Sequence, residues 1–394
     1  MSSRSGPSGQ HHGQHWPWWP LLPLYPYGHR PTLVRELIPD QIWSFEQLQG
    51  VWYVAVPIRM TVVKVEHGLM LYSPIAPTQE LLDQLGQLES KYGSVCTIVL
   101  PTSSGLEHKI PLPAMARAFP AATIWVSDQQ WSFPLSLPPS WLGFPGNRTR
   151  ILFRDGLPHG EQLTWLPLGP LNLGLGTFLE VACLDRTNGC LLVTDALVSI
   201  LPNQPEVFEL DPTPLLFHSR EHGSEPLTDT LANRQKGWKR IVLFANFFKP
   251  ASVEVISLRK AVGQMFAPLC RNQHSHFGFY PFQWKQDWEA EFINLLTGTD
   301  GQSDIMLSPV LERLVFPRQK TVFADWLRGL ANCSEITNLI SCHYHAPLRV
   351  TPSQFDDYAD TVLRRDWAVS DHSWSTLASI DQFLLRLGIA SPQE

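Results

Sequence analysis

The segment TIVLPTSSGLEHKIPLP, residues 97–113, decides how the fold of this chain is interpreted. A run of β-branched residues, 97–99, ends at Leu100 and Pro101, and small polar residues follow it. Glu107 and His108 then stand side by side. Because β-branched residues favour strands and proline interrupts them, we predict a strand that ends in a polar loop. Loops beyond strand ends are where α/β proteins usually carry their chemistry, so this loop is a candidate functional site.

The residues around this strand predict alternating strands and helices. Residues 51–74 read as strands with a turn at His67 and Gly68. Residues 78–93 have leucines at helical spacing, with Thr78 as the cap and Gly93 as the end of the helix. A short helix is expected at 112–119 and a further strand at 122–127. This β-α-β-α-β order predicts a partly parallel sheet covered by helices.

Two later strands also end in polar residues. The segment FLEVACLDRTNGCLLVTDAL, 178–197, predicts a hairpin, because Asn188 and Gly189 suit a type I′ turn, and its second strand runs into Asp195. The segment TNLISCHYHAPL, 337–348, predicts a short strand that ends near His343. The rest of the second half is mostly helical by pattern, and two helices are expected to close the chain.

Composition limits the function classes. The chain has 394 residues, 44% hydrophobic and 17% charged, with a net charge of −6, which argues against a nucleic-acid partner. We expect neither a transmembrane helix nor a secretory signal, because the sequence contains no apolar run long enough for a membrane span and no apolar stretch near its start. Six scattered cysteines fit reduced thiols, and we therefore expect a cytoplasmic protein.

The N-terminal region is unusual in composition. Residues 1–15 predict a disordered tail, and HWPWWPLLPLYPYGHRP, 15–31, alternates proline with aromatic residues. We interpret residues 16–50 as an extended arm laid over the protein, with a peripheral membrane contact through its tryptophans as the alternative. The main domain is then expected at 51–350, and the C-terminal helices at 351–394.

The polar residues at the strand ends could bind a metal. Glu107, His108, Asp195 and His343 combine carboxylates with imidazoles, a ligand set that suits one zinc, iron or manganese ion. For each residue alone an ordinary structural role is the simpler interpretation. Their repeated position after strands favours a shared site.

These motifs, in this order, resemble the metallo-β-lactamase superfamily. Its first motif, Thr-His-x-His-x-Asp-His after a strand, aligns with Thr102, Ser103, Gly105, Glu107 and His108. The resemblance implies an αββα sandwich, here with an N-terminal extended arm and C-terminal helical additions. Further along the chain, the third histidine of the family aligns with Gly176. The bridging aspartate of the family aligns with Asp195, and its final histidine aligns with His343.

The resemblance also implies half of a two-metal site. The ligands of one metal are replaced by Ser103, Gly105 and Gly176, whereas the positions for the other metal hold the four residues named above. One hypothesis is a mononuclear metal-dependent hydrolase, with weak or altered activity and with Glu107 or Asp195 as base or ligand. Its substrate would be an unknown small molecule. The competing hypothesis is a catalytically inactive scaffold, a pseudoenzyme that docks a protein partner or a membrane through the arm.

More narrowly, the sequence is similar to a family of unknown function found in cyanobacteria and chloroplasts. The segments that carry this similarity include WPLLPLYPYG, VPIRMTVV, GLEHK, LLVTDAL and CHYHAP. This similarity brings no activity with it.

Overall fold

The computed structural model describes residues 24–26, 29–130, 136–266, 273–297, 305–365 and 374–394. The predictions for the tail, 1–15, and for the first part of the arm, 16–23, fall outside these ranges.

The larger of two main sheets contains the predicted strand that ends at Leu100. Its eight strands are β1 (Leu24–Tyr25), β2 (Leu33–Ile38), β3 (Ile42–Val51), β4 (Val54–Val65), β5 (Gly68–Tyr72), β6 (Val95–Leu100), β7 (Thr123–Val126) and β8 (Thr149–Ile151). Strands β2 to β5 pair antiparallel, and β5 to β8 pair parallel. The sheet is therefore partly parallel, as predicted.

The second sheet carries the other two predicted strand ends. Its five strands run in the order β15 (Leu348–Arg349), β14 (Asn338–Ser341), β11 (Cys190–Val193), β10 (Thr177–Asp185) and β9 (Leu163–Asn172). Strands β10 and β11 form the predicted hairpin, with Gly189 in the turn at a φ of 63°. Because β11 and β14 are parallel, Asp195 and His343 both follow carboxyl ends at the same edge of this sheet.

Helices pack around the two sheets and beside the tip of the β3–β4 hairpin. They are α1 (Gln79–Tyr92), α2 (Leu106–Lys109), α3 (Leu112–Ala118), α4 (Thr213–Ser219), α5 (Leu231–Phe247), α6 (Leu258–Gln264), α7 (Trp288–Thr297), α8 (Pro309–Leu314), α9 (Lys320–Ala331), α10 (Pro352–Arg364) and α11 (Ser375–Arg386). Helix α1 begins as predicted, since the Thr78 hydroxyl accepts a hydrogen bond from the Leu81 N–H at 3.1 Å. It ends before Gly93, whose φ is 97°. A small hairpin, β12 (Val253–Val255) with β13 (Phe282–Trp284), lies outside the main sheets.

Three apolar clusters give the order of the layers. Residues of α1 and α3 pack on the outer face of the larger sheet, and residues of α9 and α10 pack on the outer face of the second. Between the sheets, Val63 and Val99 of the larger sheet share one core with Val181 and Leu192 of the second. The predicted four-layer αββα sandwich is therefore confirmed.

The second part of the predicted arm belongs to the sheet. Strands β2 and β3 lie within residues 33–51, whereas the sequence was interpreted as an extended arm as far as residue 50. The stretch rich in proline and aromatic residues ends at Pro31. The later strand β3 consists mostly of buried residues and pairs with β4 along its whole length. Burial on both faces hides the alternation that marks a half-exposed strand, which is why the boundary was placed too late.

A helical layer lies beside the tip of the β3–β4 hairpin. Helices α4, α5 and α7 form a cluster with Tyr53 of that tip, in which Trp238 and Phe247 of α5 are buried. About half of the residues of α5 are buried, as expected for a core helix. Among the described residues, no helix is long and apolar enough to cross a membrane.

Candidate metal site

The loop after β6 crosses from the larger sheet to the second one. The Pro101 carbonyl accepts the Val181 N–H at 2.8 Å, and Thr102 pairs with Glu180 of β10. The Ser103 N–H donates to the Leu179 carbonyl at 2.9 Å. These bonds extend the second sheet by a few residues and fix where α2 begins. The short helix α2 then carries both Glu107 and His108.

Three candidate ligands converge at this edge. One ligand atom each from Glu107, His108 and His343 lies within 4.8 Å of the other two. The Glu107 Oε1 atom is 3.6 Å from His343 Nε2 and 3.9 Å from His108 Nε2. The His108 side chain is fully buried, whereas those of Glu107 and His343 are 21% and 15% exposed. The cluster is thus open to solvent on one side.

The two imidazoles are oriented by backbone carbonyls. His108 Nδ1 lies 3.2 Å from the Pro74 carbonyl oxygen, and His343 Nδ1 lies 3.1 Å from that of Pro57. A carbonyl can only accept a hydrogen bond, so each Nδ1 carries a hydrogen and each Nε2 is the atom that is left to bind either a proton or a metal. The buried Nε2 of His108 has no hydrogen-bond partner among the described residues. A buried basic nitrogen aimed at a carboxylate and a second imidazole fits a metal ion.

Asp195 reaches the cluster through His343. Its Oδ1 atom lies 3.0 Å from His343 Nε2, and its side chain is 19% exposed. The backbone around Asp195 is fixed by the buried Glu180 carboxylate, which accepts N–H groups of Thr194, Asp195 and Ala196 at 2.8, 3.0 and 2.9 Å. The structure therefore brings all four sequence-predicted site residues together.

The charges of the four residues are coupled. Burial opposes ionisation of Glu107, but the neighbouring imidazoles, that of His343 above all, lower its pKa to about 2. Burial likewise opposes a charge on His343, yet Asp195 and Glu107 raise its pKa to about 10. Burial lowers the pKa of His108, which stays neutral at pH 7. Without a metal, the His343 imidazolium therefore holds the two carboxylates together.

The positions predicted to have lost ligands are filled by other contacts. The Ser103 hydroxyl accepts the Leu179 N–H at 3.0 Å, and Ser103 is buried. A Cβ atom on Gly105 would lie 2.7 Å from the Thr102 methyl and 3.0 Å from Glu107 Oε1. The Gly176 carbonyl accepts the Leu173 N–H at 2.9 Å in the turn before β10. At these three positions, hydrogen bonds to the backbone and the space taken by the Glu107 carboxylate therefore replace a second set of imidazoles.

The sequence analysis missed the charged residues behind the site. Glu46 and Arg59 are almost fully buried on β3 and β4, and Glu180 is buried on β10. The available signal was that each of these three residues lies inside a strand among mostly apolar or uncharged neighbours, and a charge in such a place requires a buried partner. A sequence does not show which partner that is when it lies far along the chain.

Solved structures similar to this chain have the metallo-β-lactamase fold. DIM-1 metallo-β-lactamase is 8% identical, with 84% of this chain and 99% of that chain covered and a TM-score of 0.38. The metal-soaked Flv1 flavodiiron core from Synechocystis is 11% identical, covering 92% and 70% at a TM-score of 0.43. A metallo-β-lactamase from Pontibacter korlensis is 13% identical, covering 55% and 85% at a TM-score of 0.33. No curated protein matches the sequence.

One protein family spans most of the chain. Residues 39–360 match the family described as a domain of unknown function, DUF4336. The match begins within the β2–β3 turn and ends in α10, so it includes the second sheet, strands β3 to β8 of the larger sheet and all four candidate ligands. The chain belongs to this family of unknown function.

Proposed function

We propose that Glu107, His108 and His343 bind one zinc, iron or manganese ion, with Asp195 as fourth ligand or as general base. The observation that carries this proposal concerns the His108 Nε2 atom, which is buried and faces Glu107 and His343. Within the part of the chain that the structure describes, this nitrogen has no hydrogen-bond partner. Two imidazoles with carboxylates match the ligand types of single-metal catalytic sites.

The proposal of a single metal ion follows from the residues at the positions of the lost ligands. Ser103 is engaged with the Leu179 N–H, and Gly105 has no room for a side chain beside Glu107. Neither position supplies an imidazole. We therefore propose one ion, placed on the side of the two remaining histidines.

The reaction proposed is hydrolysis of an ester, thioester or phosphoester, with weak activity. A divalent ion at such a site supplies Lewis-acid activation of water. Asp195 would accept the proton, since its carboxylate is partly exposed and adjoins the cluster. Glu107 would act as a ligand, because its Oε1 atom lies 3.6 and 3.9 Å from the Nε2 atoms of His343 and His108. The substrate would enter from the side on which Glu107, Asp195 and His343 are partly exposed to solvent.

A second function, an inactive scaffold, is favoured by one observation. The His343 Nε2 atom lies 3.0 Å from Asp195 Oδ1 and 3.6 Å from Glu107 Oε1, so a protonated His343 bonds to Asp195 and also places its positive charge beside Glu107. In that case the site is a structural ion pair. The protein would then dock a protein partner or a membrane surface, with the aromatic arm as the contact.

Metal content separates the two functions. We would measure it by elemental analysis of the purified protein beside a His108→Ala/His343→Ala double variant, with residues 1–15 removed from both, since His11, His12 and His15 could bind metal on their own. About one equivalent of metal that is lost in the double variant supports the proposed site. A folded protein that holds no metal after incubation with zinc, iron or manganese supports the scaffold. Activity on chromogenic esters, thioesters and phosphodiesters then tests the reaction.

A further inference from the structure

A buried ion pair lies directly behind the candidate ligand His343. Glu46 of β3 and Arg59 of β4 face each other across the two strands, with Arg59 Nε 3.1 Å from Glu46 Oε1. Their side chains are 2% and 1% exposed. Burying a charge pair seldom adds stability over apolar residues of the same size, because desolvation offsets the attraction. Stability alone therefore does not explain why this pair is buried here.

The other nitrogens of the Arg59 guanidinium donate hydrogen bonds to the turn that contains His343. One terminal nitrogen donates to the Ser341 carbonyl, and the other donates to the Tyr344 carbonyl at 2.7 Å. These carbonyls lie two residues before and one residue after the ligand. Arg59 therefore ties a strand of the larger sheet to the ligand turn of the second sheet.

The turn held in this way has an unfavourable backbone conformation. Tyr344 has a φ of 57°, in the left-handed region that non-glycine residues seldom adopt, at a cost of about 1–2 kcal/mol. A second arginine, Arg35, donates to Glu46 and, at 3.1 Å, to the Ala346 carbonyl further along the same turn. The two arginines keep the pKa of Glu46 below its ordinary value although burial opposes this.

We propose that Arg59, oriented by Glu46, is a positioning residue that holds His343 in place as a metal ligand. This inference rests on the proposed metal site. The imidazole can point its Nε2 atom at Glu107 only while its backbone lies against Ile58 of β4, with which His343 pairs, and its Nδ1 atom reaches the Pro57 carbonyl. The Arg59 contacts keep the turn against that strand. Without them the turn can relax away from β4, and the ligand moves with it.

The test compares two buried ion pairs of the same kind. The Glu46→Gln/Arg59→Met variant removes both fully buried charges together. Arg35 loses Glu46 as a partner in this variant, but its side chain is 27% exposed and stays in contact with water. The control is Arg318→Met/Asp381→Asn, because Arg318 and Asp381 are equally buried, at 1% and 2%, but join a 3-10 turn (Phe316–Gln319) to α11. Zinc affinity is measured by chelator competition, and the visible spectrum of the cobalt-loaded protein reports the ligand geometry. All variants lack residues 1–15.

We expect a zinc affinity about 10–100-fold weaker in the first variant, the size typical of lost outer-shell partners, with an altered cobalt spectrum. The control variant should match the wild type in both. Arg59→Lys should recover part of the affinity, since an ammonium can still donate to one of the carbonyls. If the double variant does not melt cooperatively, Arg59→Lys carries the test, with an intermediate affinity as its expected result.

Two negative results are distinguishable. If the wild type binds no zinc and no cobalt, the proposed metal site fails and the inference falls with it. If the wild type binds metal and the folded Glu46→Gln/Arg59→Met variant binds it equally well, with the same cobalt spectrum, the metal site stands and the positioning role is overturned.

Discussion

The two sides of the loop edge use similar positions for different purposes. We call Glu107, His108, Asp195 and His343 the ligand half, and Ser103, Gly105 and Gly176 the closed half. In the ligand half, both Nδ1 atoms are tied to carbonyls and both Nε2 atoms face carboxylates. In the closed half, Ser103 joins the two sheets by hydrogen bonds and Gly105 leaves its space to Glu107. The difference shows that an edge without imidazoles at these positions is occupied by structure rather than by an empty site.

The largest expected effect comes from removing a histidine of the ligand half. In a protein without residues 1–15, His108→Ala should weaken zinc binding by more than about 100-fold, because outer-shell partners alone account for about 10–100-fold. His222→Ala is the control, since His222 is exposed and lies outside the cluster. Chelator competition measures both. Equal affinity in the two variants would mean that zinc binds elsewhere and that the ligand half is not a metal site.

The next prediction concerns the proton that replaces a metal in the ligand half. In chelator-treated protein, the pKa of His343 is raised from 6.5 to about 10 by Asp195 and Glu107 against the effect of burial. The folded state then binds more protons than the unfolded state between these values, so stability falls as pH rises. The contribution of His343 is complete below about pH 6.5 and is lost through about pH 10. Urea unfolding at several pH values should show this slope in the wild type and lose it in His343→Gln.

A second buried histidine is the control for that slope. Burial lowers the pKa of His218 to about 3, so His218 stays neutral throughout the alkaline range. His218→Gln should therefore lower stability by a constant amount above pH 6.5 and leave the slope unchanged. A slope that disappears in both variants would show that it does not arise from the ligand half.

The ligand half illustrates what a sequence can and cannot reveal. The proximity of Asp195 and His343 was predictable, because each follows the carboxyl end of one of two neighbouring parallel strands, β11 and β14. The structure also bears out the hairpin turn at Gly189 and the cap at Thr78, which depend on local backbone chemistry. Arg59 was not predictable, because its partners Ser341 and Tyr344 lie more than 280 positions away and are backbone carbonyls, which leave no mark in a sequence.

The closed half is tested first at Gly105. Gly105→Ala would place a methyl group 2.7 Å from the Thr102 side chain and 3.0 Å from the Glu107 carboxylate. We expect a loss of about 1–3 kcal/mol in the free energy of unfolding from overpacking. Zinc affinity should fall less than in His108→Ala, since Glu107 is pushed but not removed. Gly146→Ala is the control, because a Cβ there meets no atom within 4 Å. Equal stability of the two variants would mean that the closed half still has room for a ligand.

The smallest expected effect belongs to Ser103, and it tests whether the closed half is purely structural. Ser103→Ala removes the acceptor of the buried Leu179 N–H and should lower the free energy of unfolding by about 1 kcal/mol. Zinc affinity should not change, because the Ser103 backbone bond to the Leu179 carbonyl remains and continues to place the loop. Ser104→Ala, at an exposed neighbouring position, should leave both quantities unchanged. A loss of zinc affinity in Ser103→Ala alone would mean that the hydroxyl takes part in metal binding, and the edge would then be one continuous site rather than two halves.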